Sequence, residues 1–264
     1  MIAVLRDGPV LRVTFERPDR LNAIDPAMAA RLATLGDELR REREARVVVL
    51  AGAGPAFMAG GDIATFAGPA GEATPRVRGM MADFHHFVTA LTELRQPVVG
   101  ALHGAVAGGG LSVALSCDVL VAAEGTRLRP AYAQLGTSPD GGLTLQLARV
   151  LGPRRALRVL LLDDDLPLAE AVALGIVLQV VPPGELGQAA DAVARRLAAR
   201  AEPATAETKA LLRQAGAATL SEQMEHEMAA FLRCMATPEF AEGVQAFGAK
   251  RKPAFERAAL LGTG

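Results

Sequence analysis

The sequence contains two glycine clusters, Ala59-Gly60-Gly61-Asp62 and, further along, Gly108-Gly109-Gly110. Each cluster follows an apolar run typical of a buried strand, Val47-Val48-Val49-Leu50 before the first and Pro97-Val98-Val99-Gly100-Ala101-Leu102 before the second. Glycine lets the backbone turn tightly and approach a ligand closely. Two such turns side by side would point two backbone N–H groups at one oxygen, an oxyanion hole, which suits chemistry that places negative charge on a carbonyl. The alternative is that both clusters are ordinary loops after strands.

Composition and charge exclude several classes of protein. The chain has 264 residues, 50% of them hydrophobic, which is enough for one large or two small domains with a continuous core. The formal net charge is −1 and only 4% of the residues are aromatic, so neither the charge nor the rings of a nucleic-acid-binding protein are present. No apolar run reaches the length of about 20 residues that a membrane span needs, so no membrane partner is expected.

The cysteines and the first residues bear on the compartment. Cys117 and Cys234 form no CxxC pair and lie in apolar surroundings, so we expect buried free thiols, which fit a reducing cytoplasm. The segment Met1–Asp7 reaches charged residues too early for a signal peptide. We therefore expect a cytoplasmic protein.

The spacing of apolar residues predicts an α/β fold with mixed crossovers. Strands are predicted at residues 2–6, 10–15, 46–51, 97–102 and 118–123, the first two forming a hairpin. Helices are predicted at residues 26–44, 79–95, 109–116, 142–151 and 153–162, followed by a helix and a strand over 168–181. Residues 64–78 are rich in Gly, Pro, Ala and Thr without periodicity, so a mobile loop is expected there.

The last third of the chain is predicted to be helical. One apolar stripe at helical spacing starts at Leu186, and a second contains Met224, Met228, Phe231, Leu232 and Met235. A methionine-rich stripe is more often core or subunit interface than a cofactor site. We therefore expect residues 1–183 to form a core domain and residues 184–264 to form a helical oligomerisation segment.

Five segments together carry a family resemblance. In chain order they are Glu16-Arg17-Pro18-Asp19-Arg20-Leu21-Asn22-Ala23-Ile24; Ala56-Phe57-Met58-Ala59-Gly60-Gly61-Asp62-Ile63; His103-Gly104-Ala105-Val106-Ala107-Gly108-Gly109-Gly110-Leu111 with Cys117-Asp118; Leu135-Gly136-Thr137-Ser138-Pro139-Asp140-Gly141-Gly142; and Ala246-Phe247-Gly248-Ala249-Lys250-Arg251-Lys252-Pro253-Ala254-Phe255. The set resembles the crotonase superfamily, also called the enoyl-CoA hydratase/isomerase family, and is most similar to isomerase members with a catalytic aspartate. The match covers nearly the whole chain in the family's order.

The resemblance implies an architecture and a ligand. It implies a crotonase-like spiral of β-β-α units followed by a C-terminal helical trimerisation segment. It implies an acyl-CoA thioester as substrate and a homo-oligomer, either a trimer or a dimer of trimers. No metal and no redox cofactor is expected, since coenzyme A is part of the substrate.

The resemblance also assigns roles to residues. By matching motifs, the backbone N–H groups of Gly61 and Gly109 are the oxyanion donors. Gly109 lies where a helix is predicted to begin, so the helix dipole favours the same negative charge, although close helix packing is an alternative reason for this glycine. Contacts with the substrate or its coenzyme A are assigned to Ala23, Ala59, Asp62, Ile63, Tyr132 and Lys250.

The acid–base residues differ from those of a hydratase. A hydratase of this family needs two carboxylates around a water, and the matching positions hold Ser112 and Tyr132, whose ordinary pKa values are too high for a general base near neutral pH. One carboxylate remains in the motif region, Asp140. A single acid suits an isomerase, since it removes a proton beside the thioester and returns it further along. The alternative for Asp140 is a turn residue that caps the next helix. The alternative for Tyr132 is a packing role.

The sequence therefore predicts an acyl-CoA isomerase that shifts a double bond, with Asp140 as its catalytic acid and base. Three alternatives stay open: an enoyl-CoA hydratase in which other groups position water, an aryl-CoA dehalogenase-like hydrolysis, and non-catalytic acyl-CoA binding. The dehalogenase alternative depends on His85, which matches a histidine on the same helix in aryl-CoA dehalogenases of the family. In those enzymes an aspartate at the position of Asp140 is the nucleophile.

Overall fold

The computed structural model describes residues 1–162 and 164–255. The strands are β1 (Ile2–Asp7), β2 (Val10–Phe15), β3 (Val47–Gly52), β4 (Val98–Leu102), β5 (Ala105–Ala107), β6 (Val119–Ala123), β7 (Arg127–Arg129) and β8 (Gln179–Val181). The helices are α1 (Pro26–Arg41), α2 (Ile63–Phe66), α3 (Ala70–Glu93), α4 (Gly109–Leu115), α5 (Leu143–Leu151), α6 (Pro153–Leu162), α7 (Leu168–Ala173), α8 (Leu186–Ala198), α9 (Glu202–Ala215), α10 (Leu220–Met235) and α11 (Pro238–Gly248).

The large sheet has six strands in the order β1-β2-β3-β4-β6-β8. The edge strand β1 pairs antiparallel with β2, as the predicted hairpin requires, and all other pairs in this sheet are parallel. Residues Val47–Leu50 of β3 and all of β4 are buried, which explains why both strands read as continuous apolar runs. Because β3 and β4 are parallel neighbours, the loops that follow them leave the sheet at the same edge.

A second set of short strand pairings and single bridges lies next to this sheet. Met58, after β3, forms a bridge to Val106 of β5, which pairs in parallel with β7, and Leu128 of β7 forms a bridge to Leu166. The strands β3, β4 and β6 are thus each followed by a short strand or bridge and then by a helix. These are the β-β-α units that the resemblance implied, and the predicted spiral α/β fold is confirmed.

Helices cover both faces of the large sheet. On one face, α1 and α3 enclose the main core, in which Phe15, Phe57 and Phe87 are fully buried. On the other face, α8 packs Ala190 and Ala194 against the valines of the parallel strands. This helix lies beyond the expected boundary at residue 183, yet its contacts make it a layer of the core. The outlying helical part then begins with α9.

One segment expected to be a mobile loop is helical. The sequence predicts a loop over residues 64–78, whereas α3 begins at Ala70. The prediction was wrong because glycine and proline are local signals, while this helix start depends on contacts distant in the chain. The Arg76 guanidinium donates hydrogen bonds to the carbonyl oxygens of Thr65 at 2.9 Å and Ala67 at 3.0 Å, which holds the first turns of α3 against α2.

The C-terminal helices leave a large apolar area uncovered. The exposed side chains of α10 and α11 include Met224, Met228, Phe231, Leu232, Val244 and Phe247. The predicted helical character holds through α11, and the expectation for residues 256–264 lies outside the described residues. In the described part of the chain, no helix is both long enough and apolar enough to span a bilayer.

Candidate active site

The two glycine clusters are in direct contact. Met58 and Val106 form a parallel bridge, and the N–H of Ala107 donates to the carbonyl oxygen of Met58 at 3.0 Å. A Cβ placed on Gly60 would lie 2.9 Å from the Ala107 oxygen and 3.3 Å from the Gly109 nitrogen. Gly60 also has a φ of 91°, so both the conformation and the close approach require glycine here. The loops after β3 and β4 therefore form one structure.

The N–H groups of Gly61 and Gly109 have no protein acceptor in the described part of the chain. Gly109 is the first residue of α4, where an N–H has no acceptor within the helix. On either side of the Gly61 N–H, Ile24 donates to Gly60 at 2.7 Å and Asp62 donates to Ile24 at 2.8 Å. Gly61 and Gly109 line the same cavity, where two unpaired donors suit one anionic oxygen.

The cavity that Gly61 and Gly109 line is named the catalytic cavity, after its proposed role. It has a volume of about 730 Å³, within the usual range for small-molecule sites. Met80 and Phe84 of α3 contribute to its apolar wall. Eight of the residues singled out from the sequence line it: Ala23, Ala59, Gly61, Asp62, Ile63, Gly109, Tyr132 and Asp140. The structure thus brings these residues together, while the role of each stays a prediction.

Asn22 links the segment 16–24 to the loop that follows β3 and precedes the first glycine cluster. Its side chain is fully buried, and its Nδ2 lies 2.7 Å from the carbonyl oxygen of Ala56, 2.9 Å from that of Ala53 and 3.2 Å from that of Phe57. Its Oδ1 accepts from the backbone N–H of Arg17 at 2.8 Å. Sequence reasoning included Asn22 in a motif and assigned it no role. Its amide satisfies backbone groups that would otherwise be buried without partners.

Arg17 holds Asp62 beside the glycine loop. The Arg17 guanidinium lies 2.8 Å from Asp62 Oδ2 and 3.2 Å from Asp25 Oδ2, and it donates to the Ala23 carbonyl oxygen at 2.9 Å. Asp62 also accepts the N–H of Ala64 at 3.1 Å, which caps α2. The hydrogen bond from Arg17 lowers the pKa of Asp62. Asp62 is therefore a structural anion of the loop, and its contact with substrate stays a prediction.

The two carboxylate oxygens of Asp140 have different neighbours. Oδ1 accepts a hydrogen bond of 2.5 Å from the Tyr132 hydroxyl, and Oδ2 lies 3.8 Å from His85 Nε2. The same His85 Nε2 accepts the N–H of Gly141 at 3.2 Å. A ring nitrogen that accepts a hydrogen bond carries no proton, so this geometry assigns the His85 proton to Nδ1. In this arrangement His85 Nε2 donates no hydrogen bond to Asp140 Oδ2, although the two atoms are neighbours.

Tyr132 keeps its proton in this environment. Burial raises the pKa of its phenol well above the ordinary 10.0, and the charge of Asp140 raises it further. The hydroxyl is therefore a donor at all physiological pH values. Because it donates to Asp140 Oδ1, it restricts the orientation of the Asp140 carboxylate.

Ser112 supports the turn that carries Asp140. Its side chain is fully buried, and its Oγ donates to the backbone oxygen of Asp140 at 3.1 Å. A Cβ placed on Gly141, which has a φ of 58°, would lie 2.9 Å from Ser112 Cβ and 2.7 Å from Phe84 Cε1. The turn thus packs directly on Ser112. Ser112 is the other position at which the resemblance expects an acid in a hydratase, and here it contacts the turn instead of supplying an acid.

Lys250 does not line the catalytic cavity. It follows α11 and is exposed, and its neighbour Arg251 forms a two-pronged ion pair with Glu242 at 2.6 and 2.9 Å. Its contact with coenzyme A stays a prediction. Across residues 1–162 and 164–255, no group of three or more His, Cys, Asp or Glu side chains is arranged to hold a metal ion.

Comparison with known proteins agrees with this geometry. The enoyl-CoA hydratase/isomerase family matches residues 6–258. The chain is 33% identical to the 1,2-epoxyphenylacetyl-CoA isomerase of Escherichia coli (strain K12) over 247 residues, 93% of this chain and 94% of that protein. It is 30% identical to the 4-chlorobenzoyl coenzyme A dehalogenase-2 of an Arthrobacter species over 252 residues, 94% of this chain and 91% of that protein.

A solved structure extends the comparison to the fold. The enoyl-CoA hydratase from Polaromonas sp. JS666 is 32% identical and matches with a TM-score of 0.89, covering 96% of this chain and 98% of that chain. The family match spans both glycine loops, the Asp140 turn and the C-terminal helices. The chain therefore belongs to the enoyl-CoA hydratase/isomerase family, within the crotonase superfamily.

Proposed function

We propose that the chain is an acyl-CoA isomerase that moves a carbon–carbon double bond through an enolate of the thioester. The observation that carries this proposal is that the Asp140 carboxylate lines the same cavity as the N–H groups of Gly61 and Gly109, which have no acceptor among the described residues. A thioester whose carbonyl oxygen lies between the two N–H groups would present its neighbouring carbons to the base on the cavity wall.

The proposed reaction has two proton transfers. Asp140 first takes the proton from the carbon between the thioester and the double bond, and the C–H electron pair moves towards the carbonyl. The N–H groups of Gly61 and Gly109 stabilise the oxygen anion that results. Asp140 then gives the proton to the far carbon, which leaves the double bond beside the thioester. The reaction is redox-neutral and so needs no redox cofactor; we propose that it also uses no metal, and coenzyme A is part of the substrate.

The surroundings of Asp140 support a shuttle between two carbons. Because Tyr132 holds Oδ1, Oδ2 is the oxygen left to exchange the proton. The apolar side chains of Met80 and Phe84 line the same cavity and reduce the access of water, which would compete for the enolate.

Hydration fits this geometry less well. A hydratase holds its water between two acids, whereas here Tyr132 keeps its proton and Ser112 Oγ donates to the backbone of Asp140. Of the two carboxylates among the described residues that line this cavity, Asp62 is held by Arg17, which leaves Asp140 as the carboxylate that can act as a base. The geometry therefore favours isomerisation, although a hydratase is among the similar proteins.

A second candidate is hydrolytic dehalogenation of an aryl-CoA, which the position of His85 beside Asp140 favours. A carboxylate oxygen of Asp140 would attack the ring carbon that bears the halogen, and the halide would leave with its bonding electrons. Water would then cleave the resulting aryl ester while His85 takes a proton from it, which releases a hydroxylated ring and restores the carboxylate. The similarity to a protein named as a 4-chlorobenzoyl coenzyme A dehalogenase supports this candidate.

The variant Asp140→Asn tests the proposal. With 3-hexenoyl-CoA as probe, the wild type is expected to form the conjugated 2-enoyl thioester and to exchange the carbon-bound proton in deuterated water. Asp140→Asn is expected to lose both activities by several powers of ten, while butyryl-CoA binds as to the wild type. Full activity in the variant would remove Asp140 from the mechanism.

Two further readouts separate the alternatives. Chloride release from 4-chlorobenzoyl-CoA, without isomerisation of the 3-enoyl probe, would establish the dehalogenase candidate instead. Tight binding of both thioesters with no turnover of either would indicate an acyl-CoA-binding protein without catalysis.

We also propose that the chain forms a homo-oligomer, a trimer or a dimer of trimers. Helix α10 exposes Met228 and Phe231, and a different part of the surface, on α6, exposes Leu157 and Leu161. Apolar areas of this kind commonly mark protein–protein contacts. Two different surfaces that bind each other make a head-to-tail contact, and such contacts can close into a ring.

A further inference from the structure

His85 of α3 lies between solvent and the carboxylate that we propose as the base. Its side chain is 47% exposed, whereas that of Asp140 is 21% exposed. On the side of the Asp140 turn, His85 Nε2 accepts the N–H of Gly141 at 3.2 Å and lies 3.8 Å from Asp140 Oδ2. One ring nitrogen therefore faces both the backbone next to Asp140 and the oxygen that is left to exchange the proton.

The N–H of Gly141 depends on this ring for its hydrogen bond. Gly141 is buried, and no other group in the described part of the chain accepts its N–H. The remaining bonds of the turn converge on the backbone oxygen of Asp140, which accepts from Ser112 Oγ and from the N–H of Leu143, both at 3.1 Å. A buried N–H that loses its acceptor destabilises its surroundings. His85 therefore holds one side of the turn and Ser112 the other.

The hydrogen bond with Gly141 requires a neutral ring. A protonated imidazole carries a proton on each nitrogen and has no lone pair with which to accept. Protonation of His85 would thus remove the acceptor of the Gly141 N–H and place a cationic donor 3.8 Å from Asp140 Oδ2. An ion pair formed there would occupy the oxygen that Tyr132 leaves free. The neutral ring leaves the carboxylate available, and the cationic ring engages it.

Three titratable groups lie on the two sides of this ring in the described part of the chain. On one side are Asp140 and its partner Tyr132, which keeps its proton. On the other side is Arg78, which lines a pocket along α3 together with His85 and is always charged. Histidine is the residue type that commonly changes its charge between about pH 5 and 8. A change of charge at His85 would therefore act on Asp140 near neutral pH.

We infer that His85 is a positioning residue for Asp140 and that it acts in its neutral form. It accepts the Gly141 N–H, holds the turn, and leaves Asp140 Oδ2 unpaired towards the substrate. The inference rests on the proposed function, because it takes Asp140 as the base of the isomerase. It differs from the dehalogenase candidate, in which His85 itself takes a proton from water. Acid then lowers the activity through His85 as well as through Asp140.

Two substitutions at His85 test the hydrogen bond. His85→Leu removes the acceptor, and kcat for 3-hexenoyl-CoA above about pH 8 is expected to fall roughly 2- to 10-fold, the range for one neutral hydrogen bond. The affinity for butyryl-CoA, measured by calorimetry, should change little. His85→Gln places an amide oxygen near the position of Nε2 and is expected to recover part of the loss. Equal losses in both variants, or none in His85→Leu, would overturn the inference.

The pH profile separates positioning from packing. In the wild type, kcat/KM for 3-hexenoyl-CoA is expected to fall as histidine gains its proton, by about tenfold for each further pH unit. His85→Gln cannot become charged and is expected to stay active further into acid. His86→Gln is the matched control, because His86 is the exposed neighbour on α3, bonds to Asp37 at 2.8 Å, and should leave the profile as in the wild type. An acid limb that His85→Gln does not move would reject the role of His85.

A readout without substrate distinguishes this inference from the proposed function. The chain has one tyrosine and no tryptophan, so tyrosine fluorescence reports on Tyr132, which is bonded to Asp140. The wild type and His86→Gln are expected to show a fluorescence change as the pH falls, and His85→Gln is not. That pattern in a protein that isomerises no 3-enoyl-CoA would keep the control of Asp140 by His85 and reject the isomerase. Isomerisation with the same pH profile in His85→Gln as in the wild type would do the reverse.

Discussion

The Tyr132 hydroxyl donates a 2.5 Å hydrogen bond to Asp140 Oδ1. The bond joins a phenol that keeps its proton to the carboxylate that we propose as the base. It fixes the rotation of that carboxylate, so that Oδ2 lies on the side of His85. Tyr132 thus makes a polar contact with the carboxylate that we propose as the residue that exchanges protons.

Tyr132→Phe removes this hydrogen bond and keeps the ring. A hydrogen bond to a charged group contributes about 1.5–3 kcal/mol, so turnover of 3-hexenoyl-CoA is expected to fall roughly 10- to 100-fold. The affinity for butyryl-CoA, measured by calorimetry, should change little, because the ring still fills its place. An unchanged kcat would mean that Tyr132 only packs.

Tyr132 is the single tyrosine of the chain, so tyrosinate absorbance reports on it alone. Burial, and then the charge of Asp140, raise its pKa, so the folded protein should show no ionisation near the ordinary 10.0. A raised pKa means that the phenol stabilises the fold fully below its unfolded pKa, and that this contribution is lost as the pH rises through the folded pKa. In denaturant the titration midpoint should return to about 10. A folded-state midpoint at the same value would contradict the burial of the hydroxyl.

Asp62 has the opposite pH dependence. The hydrogen bond from Arg17 holds its pKa below the ordinary 3.8, so it stabilises the fold above that value, and the contribution is lost as the pH falls through the folded pKa. Asp62→Asn is therefore expected to flatten the acid side of the curve of unfolding free energy against pH, measured by urea unfolding. Asp19→Asn, at an exposed position of the same motif, serves as control. If the unfolding free energy of Asp62→Asn falls at low pH as steeply as that of the wild type, the Asp62–Arg17 pair does not stabilise the loop.

Gly61→Ala tests the first oxyanion donor. The new Cβ would lie 2.6 Å from Phe66 Cζ, so the ring or the loop has to shift. Alanine keeps the backbone N–H, so kcat for 3-hexenoyl-CoA is expected to fall only as far as this shift moves the N–H away from the oxygen. Complete loss of one such donor typically costs about 2.7–4 kcal/mol, so a fall of about 10²- to 10³-fold is the upper limit. Gly187→Ala is the control, because nothing lies within 4 Å of its added Cβ on α8, and alanine favours a helix. Wild-type kcat in Gly61→Ala would contradict the expected loss and show that the Phe66 ring moves aside while the N–H stays in place.

Phe231→Glu tests the proposed assembly. Phe231 is 61% exposed on α10, and a carboxylate buried at a subunit contact would be unpaired. Sedimentation is expected to show an oligomer for the wild type and a monomer for the variant, while Glu225→Gln, an exposed change on the same helix, keeps the oligomer. A wild type that sediments as a monomer would reject the assembly.

The catalytic cavity could be anticipated from the sequence because backbone chemistry restricts its residues. Gly60 has a φ that favours glycine, and Gly109 begins a helix directly after a strand and a turn. Since β3 and β4 are parallel neighbours, the loops after them meet at one edge of the sheet. Asp140 was singled out by the family resemblance, since local rules alone favour a turn aspartate, and the structure brings it to the cavity.

Other features depend on contacts that no local pattern encodes. The start of α3 follows from the reach of Arg76 to the Thr65 carbonyl. Phe66 lies between the catalytic cavity and a second pocket along α3, and this position depends on how α2 packs on α3. The sequence indicated that His85 lies on a helix, but its contact with Gly141 required the turn and the helix to be seen together.

The packing of Gly141 on Ser112 constrains how this scaffold can change its chemistry. A Cβ added to Gly141 would lie 2.9 Å from Ser112 Cβ and 2.7 Å from Phe84 Cε1, so a longer acidic side chain at position 112 is expected to press on the Asp140 turn. Installing a second acid there means rebuilding the Asp140 turn at the same time. The same space thus serves either proton transfer by one carboxylate or water addition between two carboxylates. An evolutionary or engineered route between the two reactions must exchange several residues together.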